Sequence, residues 1–179
     1  MLKAVGSKTN LLCEETPNAY EFMECIKDIY FNAKVQKLDE WQQHNHTSRL
    51  QHSLNVSYYS YVICKTFGWD YKSAARAAML HDLYFYDWRK KSALRKQNHS
   101  LWHPLVAVDN AKKITVLNSI EEDAIKKHMW PCTPFLPKYK ESYVVTFADK
   151  ICASMEFVNG FKSVKKTVSF VLGFVSVRS

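Results

Sequence analysis

Glycine is scarce in this chain, with four in 179 residues, and none of them falls in a G-x-G-x-x-G or G-x-x-x-x-G-K-[ST] pattern. The two common glycine-rich phosphate cradles are therefore excluded, and dinucleotide and P-loop folds with them. The five cysteines are odd in number and form no C-x-x-C pair. That argues against a disulfide framework and against a thiolate zinc site, and it points to a reducing compartment. The longest apolar run, Val168 to Val177, is too short to span a bilayer, and Met1 to Lys8 lack the apolar core of a signal peptide. A soluble cytoplasmic protein with no membrane partner is expected. Internal repeats and low-complexity tracts are missing too, strand-like alternation is sparse, and the chain reads as mostly helix.

What is present suits one packed domain, since 47% of the residues are apolar. A net charge of +8 favours anionic partners such as nucleotides and phosphorylated metabolites. The lysines are scattered, and the runs Arg89-Lys90-Lys91, Lys112-Lys113 and Lys165-Lys166 are short. Nucleic acid is not the expected partner.

The helical pattern is clearest at Ala74-Ala75-Arg76-Ala77-Ala78-Met79-Leu80, with Asp70 as its expected N-cap. It ends in an adjacent His81 and Asp82, where an apolar core would otherwise continue. Buried charge is costly unless it is paired or coordinates a metal, so this pair needs a partner or an ion. Upstream, Asn18 to Lys34 carries Phe22, Ile26, Ile29 and Tyr30 at amphipathic spacing. Thr47 or Ser48 can cap a helix that continues to Phe67 and stops at Gly68, with His52, Val56, Tyr59 and Ile63 on one stripe and Arg49 one turn before His52.

Downstream, Leu83 to Trp88 is aromatic and either walls a pocket or fills core, while Arg89 to Ser100 reads as an exposed polar loop. Pro104 as a first helical residue places His103 at a helix entrance. Ser119 and Glu122 fit a capping box for a helix that ends before Pro131, with His128 in its last turn. Tyr139 to Phe157 reads as a final core helix with Val145, Ala148, Cys152 and Met155 inward and Asp149 beside that stripe. Singly, these histidines have bland uses: His52 as a satisfied core residue, His128 as a complement to a helix dipole. His44, His46 and His99 are left unassigned.

As a set, His52, His81-Asp82, His103, His128 and Asp149 run in a fixed order on successive helices. From Thr47 to Met155 this set resembles the HD-domain superfamily of metal-dependent phosphohydrolases. The six-ligand arrangement is similar to that of two-metal members, including diadenosine tetraphosphate hydrolases and cyclic-nucleotide phosphodiesterases. His81 to Trp88 and Lys127 to Pro131 also resemble the HD-x-x-x-YDW and KHMWP segments of small bacterial HD proteins.

The resemblance implies an all-α, single-domain HD-type helical bundle. Residues 1–46 would be an N-terminal helical extension packing on the core, 47–158 the HD domain, and 159–179 a C-terminal tail packed on the same domain. It implies one or two divalent transition metals (Fe, Mn, Co, Ni or Zn, with Mg also admitted), ions that imidazole and carboxylate ligands suit. His52, His81, Asp82 and Asp149 would surround the first ion, and Asp82, His103 and His128 the second. The reaction implied is hydrolysis of a phosphomonoester or phosphodiester, in a nucleotide or another small phosphorylated metabolite, by metal-activated water. One position departs from the pattern: many catalytic HD enzymes carry a lysine three residues after the motif aspartate, and here that residue is Phe85. Arg49, Arg89, Lys127 and Lys150 are the cations that can stand in for it. Arg49 and Lys150 flank ligands and join Asp82 as the expected catalytic residues. Phe85 also sustains a second expectation, a non-catalytic or regulatory HD domain that binds metal and nucleotide without turnover.

Overall fold

The computed structural model describes residues 2–11, 17–44, 47–89 and 98–176, apart from the side chains of residue 44 and of 159–176. The chain is mostly helical. Its elements are α1 (Pro17–Tyr30), α2 (Ala33–Gln36), a single 3-10 turn at Lys37–Glu40, the two-stranded hairpin β1 (Gln42–His44) and β2 (Thr47–Ser48), α3 (Arg49–Thr66), α4 (Tyr71–Leu80), α5 (His99–Ala111), α6 (Ser119–Lys127) and α7 (Lys140–Ser176).

The core is built where side chains are smallest. Ala74, Ala75, Ala77 and Ala78 of α4 are all fully buried, which lets α1, α3, α6 and α7 pack against this one short helix. Alanine also has the highest helix propensity, so the same residues that permit close approach favour the helix itself. Around α4 the amphipathic faces close, with Phe22, Ile26 and Ile29 from α1, Leu54 and Val56 from α3, Ala124 and Ile125 from α6, and Val145, Ala148 and Cys152 from α7 in one cluster. The cysteines among the described residues are free thiols. No helix of the described residues is long and apolar enough to cross a membrane.

Caps define the ends. Ser48 accepts a hydrogen bond from the Gln51 amide at the start of α3, and Asp70 accepts one from the Ser73 amide at the start of α4. Just past α3, Gly68 adopts φ +65°, the left-handed conformation that suits glycine after a helix end.

Several expected boundaries move, each for a local reason. The helix expected over Asn18 to Lys34 breaks after Tyr30, because Asn32 turns back to cap a separate α2 through the Lys34 amide. The capping box lies one residue earlier than Ser119 and Glu122: Asn118 accepts from the Glu121 amide, and the Glu121 carboxylate accepts from the Asn118 amide. Asparagine is as good an N-cap as serine, and its register is the one that lets Glu121 also meet Arg76. Pro104 does not open α5. Asn98 caps that helix and Pro104 sits inside it, so His103 is a helix residue and not an entrance. His99 and Ser100 are therefore helical where an exposed loop was expected, and the rest of that expected loop, 90–97, lies outside the described residues. His128 falls just beyond α6, as its C-cap. On α7, Met155 is only partly buried, and Glu156 faces inward beside it.

Candidate metal centre

Five helices bring the site together. His52 comes from the second turn of α3, His103 from α5 and Asp149 from α7, while His81-Asp82 and His128 stand at the C-terminal ends of α4 and α6. Helix ends allow this placement: the chain is leaving its helix, so a polar side chain is presented to the core without breaking an apolar face. The turn after α4 is held by hydrogen bonds from the Leu83 amide to the Leu80 carbonyl and from the Tyr84 amide to the Asp82 carbonyl.

Three imidazoles are oriented in the same way. His81 Nδ1–H donates to the Ala78 carbonyl at 2.7 Å, His103 Nδ1–H to the His99 carbonyl at 2.8 Å and His128 Nδ1–H to the Ile125 carbonyl at 2.8 Å. A carbonyl can only accept, so each Nδ1 must carry the proton and each Nε2 is the atom left to face the site. Local backbone thereby does the orienting that a ligand histidine needs.

The three Nε2 atoms converge on two carboxylates. His81 Nε2 is buried without a hydrogen-bond partner, 3.7 Å from both Asp82 Oδ2 and Asp149 Oδ1. His103 Nε2 lies 3.2 Å from Asp82 Oδ1 and 2.9 Å from His128 Nε2, which is itself 3.7 Å from the same Oδ1. Two imidazole nitrogens that both present lone pairs repel at 2.9 Å unless positive charge lies between or beside them. His52 completes the set, with Nε2 at 3.0 Å from Asp149 Oδ1. The donor atoms of His52, His81 and Asp149, and those of His81, Asp82 and His128, form two overlapping triads within 4.8 Å, each able to hold a metal ion.

Electrostatics agrees with that capacity. Burial pushes the Asp82 carboxyl up, but the imidazoles of His81, His103 and His128 outweigh it and hold Asp82 well below the usual carboxylate range. Burial acts on Asp149 in the same sense and is outweighed by His52 and His81. Both are carboxylates at neutral pH. His128 is brought down to about 3 by burial first and then by its neighbours His103 and His81, so its ring is neutral, the form that ligates. Burial alone would lower His52 as well, yet the bonds to Asp149 and Glu156 carry it up to about 10. Buried carboxylates of this density require compensating positive charge, supplied by protons on imidazole or by a cation among the nitrogens. The donor set, with imidazole and carboxylate and no thiolate, fits a divalent transition metal.

A cavity of about 210 Å³ opens on the cluster. Asp82, His103, His128 and Asp149 line its polar part, Tyr84, Trp88, His99 and Met129 its aromatic and apolar part. Lys150 is on the wall, half-buried, with Nζ donating to the His128 carbonyl at 3.0 Å and lying 3.8 Å from Asp149 Oδ2. Arg49 sits behind the site and not on the cavity wall. It is 1% exposed, and its guanidinium donates to Gln43 Oε1 at 2.9 Å and to the Tyr84 carbonyl at 2.6 Å. Of the other two candidate cations, Arg89 lies over the Trp88 ring and Lys127 pairs with Asp123; neither lines the cavity. Phe85 is exposed.

Three polar residues of the centre escaped the sequence reading. Glu156 accepts from His52 Nδ1–H at 3.0 Å and from Asn55 Nδ2 at 2.7 Å, while Asn55 Oδ1 accepts from the Val5 amide. Its signal was present: Asp149, Cys152 and Glu156 share one face of α7 at helical spacing. His99 stacks between Trp88 and His103, one turn before the latter on α5. Gln43, donating to Asp82 Oδ2 at 2.5 Å, reaches the site from the hairpin and had no periodic signal at all. Of the unassigned histidines, His44 lies on β1 and His46 outside the described residues. No family model, no curated protein and no solved structure matches the chain.

Proposed function

We propose that the chain is an HD-type metal-dependent phosphohydrolase acting on a nucleotide or another small phosphorylated metabolite. One observation carries the reading: three histidines whose Nδ1–H is committed to backbone turn their Nε2 atoms onto Asp82 and Asp149, with His103 and His128 facing each other at 2.9 Å. His52, His81, Asp82 and Asp149 would hold one divalent ion, and Asp82, His103 and His128 a second. Bound there, such ions supply Lewis acidity toward phosphoryl oxygens and toward water.

The side chains do the rest by position. Lys150 has two of its three N–H directed at the carbonyls of His128 and Thr146, which anchors the ammonium at the cavity wall with one donor left for a phosphoryl oxygen. It takes the part expected of the lysine that Phe85 replaces. Tyr84, Trp88 and Met129 offer apolar surface for the organic part of the substrate and keep water from the far side of the cavity. Arg49, buried behind the cavity with its guanidinium turned to Gln43 and the Tyr84 carbonyl, serves the site indirectly.

The second reading, a regulatory domain that holds metal and nucleotide without turnover, is favoured by Phe85 alone. Purification without chelator, metal analysis and a phosphate-release screen over nucleotides and small phosphoesters separates the two. We expect bound metal and phosphate release, and for Asp82→Ala the loss of both with helical circular dichroism retained. Metal without release from any substrate would favour the regulatory reading, and normal metal content in Asp82→Ala would sink the centre itself.

A further inference from the structure

We infer that Gln43 is the positioning residue of Asp82 and that Arg49 locks it in that role; the inference rests on the metal-site reading above. Arginine carries N–H donors and no acceptor, so the atom of Gln43 that meets Arg49 Nε at 2.9 Å must be the carbonyl Oε1. The amide orientation is thereby determined, and Nε2 must be the group that donates to Asp82 Oδ2 at 2.5 Å. Oε1, the only atom through which a glutamine side chain ligates a cation, is turned to Arg49, and the atom that meets Asp82 is Nε2, which has no lone pair to give a cation. Gln43 therefore acts on the centre through Asp82 and not as a ligand.

Arg49 is fixed well enough to serve as the lock. Its own amide donates to the Trp41 carbonyl at 2.7 Å, closing the hairpin onto the start of α3. Its guanidinium spans to the Tyr84 carbonyl, lies 3.7 Å from the centre of the Tyr84 ring and reaches the Tyr86 carbonyl at 3.5 Å. The segment that follows α4, which carries Asp82, and the hairpin, which carries Gln43, are thus tied to the same planar cation. A guanidinium can bridge both because its donors form a rigid fork.

The effect on Asp82 is to make its two oxygens different. A carboxylate in a turn can exchange its oxygens by rotation about its last torsion. With Gln43 bonded to Oδ2, that oxygen stays 3.7 Å from His81 Nε2, and Oδ1 stays 3.2 Å from His103 Nε2. One oxygen is thereby turned toward the His81 side of the cluster and the other toward the His103 and His128 side, the division a bridging carboxylate needs.

The test uses the full chain, stripped of metal by chelator and titrated with Co²⁺, whose visible ligand-field band reports coordination geometry. Gln43→Met keeps the length and removes both polar atoms; Gln43→Glu keeps the acceptor for Arg49 and removes the donor to Asp82. We expect each to weaken Co²⁺ binding about 10–100-fold and to alter the band, with far-ultraviolet circular dichroism and the metal-free melting temperature close to wild type. Wild-type affinity and an unchanged band in both variants would overturn the inference and leave the metal site standing. Loss of helical signal in both variants alongside loss of affinity would assign Gln43 to the fold and overturn it too. A wild-type chain that binds no Co²⁺ would overturn the metal reading, and this inference with it.

Discussion

At the scale of single residues, the centre depends on how each imidazole is held, and the means differ. His81, His103 and His128 are oriented by carbonyls three or four residues behind them, a constraint that any residue with a backbone supplies. His52 depends instead on a side chain, Glu156, which is buried and takes its second bond from Asn55. A carboxylate behind a ligand histidine raises the basicity of the ring as well as fixing it. Glu156→Gln keeps the shape and removes the charge. We expect it to weaken divalent-metal binding about tenfold, with the melting temperature of the metal-free protein little changed, measured by calorimetric titration and thermal denaturation. An unaltered affinity would mean that Glu156 only satisfies Asn55. Of the polar residues at the centre, the six candidate ligands are legible in the sequence because histidine and aspartate are out of place in apolar patterns. Gln43 is not, since a glutamine in a polar stretch contrasts with nothing around it.

At the scale of elements, caps decide where the candidate ligands stand. α6 begins at a reciprocal Asn118/Glu121 pair, and the register set there leaves His128 as its C-cap, with Nδ1–H within reach of the Ile125 carbonyl. Sequence inspection favoured Ser119 and Glu122, which satisfy the same spacing one residue later. The tie is broken by tertiary contacts that spacing cannot show: Asn118 Nδ2 donates to Ser73 Oγ, and Glu121 pairs with Arg76, both on α4. Asn118→Ala should therefore cost about 1 kcal/mol of stability, read from denaturant unfolding. Ser119→Ala should change little, and an equal cost at Ser119 would return the cap to the later register. Pro104 teaches a related lesson. Proline signals a helix start more often than an interior, and here Asn98 has already begun α5 a turn and a half earlier, so that His99 and His103 share a face and stack.

At the scale of the whole molecule, the centre sits where five separate helices end or meet, so occupying it should brace the fold. An ion that binds only the folded chain, present at 100 times its Kd, stabilises by about 2.7 kcal/mol. For a chain of this size that is a rise in melting temperature of roughly 5–10 °C. Scanning calorimetry with and without chelator should show it, and it should vanish in Asp82→Ala. Equal melting temperatures under all three conditions would mean that no ion is held.

The helical class, the helix-start caps at Ser48 and Asp70, and the six imidazole and carboxylate positions were all decided within the sequence, because helical periodicity, capping and ligand chemistry are local properties of neighbouring residues. The convergence of those six side chains, the carboxylate of Glu156 behind His52, the placement of Arg49 behind the cavity and the amide of Gln43 against Asp82 were decided only in the folded molecule. Each depends on segments 30 to more than 100 residues apart in the chain meeting in space, and hydrogen-bond direction exists only once donor and acceptor stand face to face.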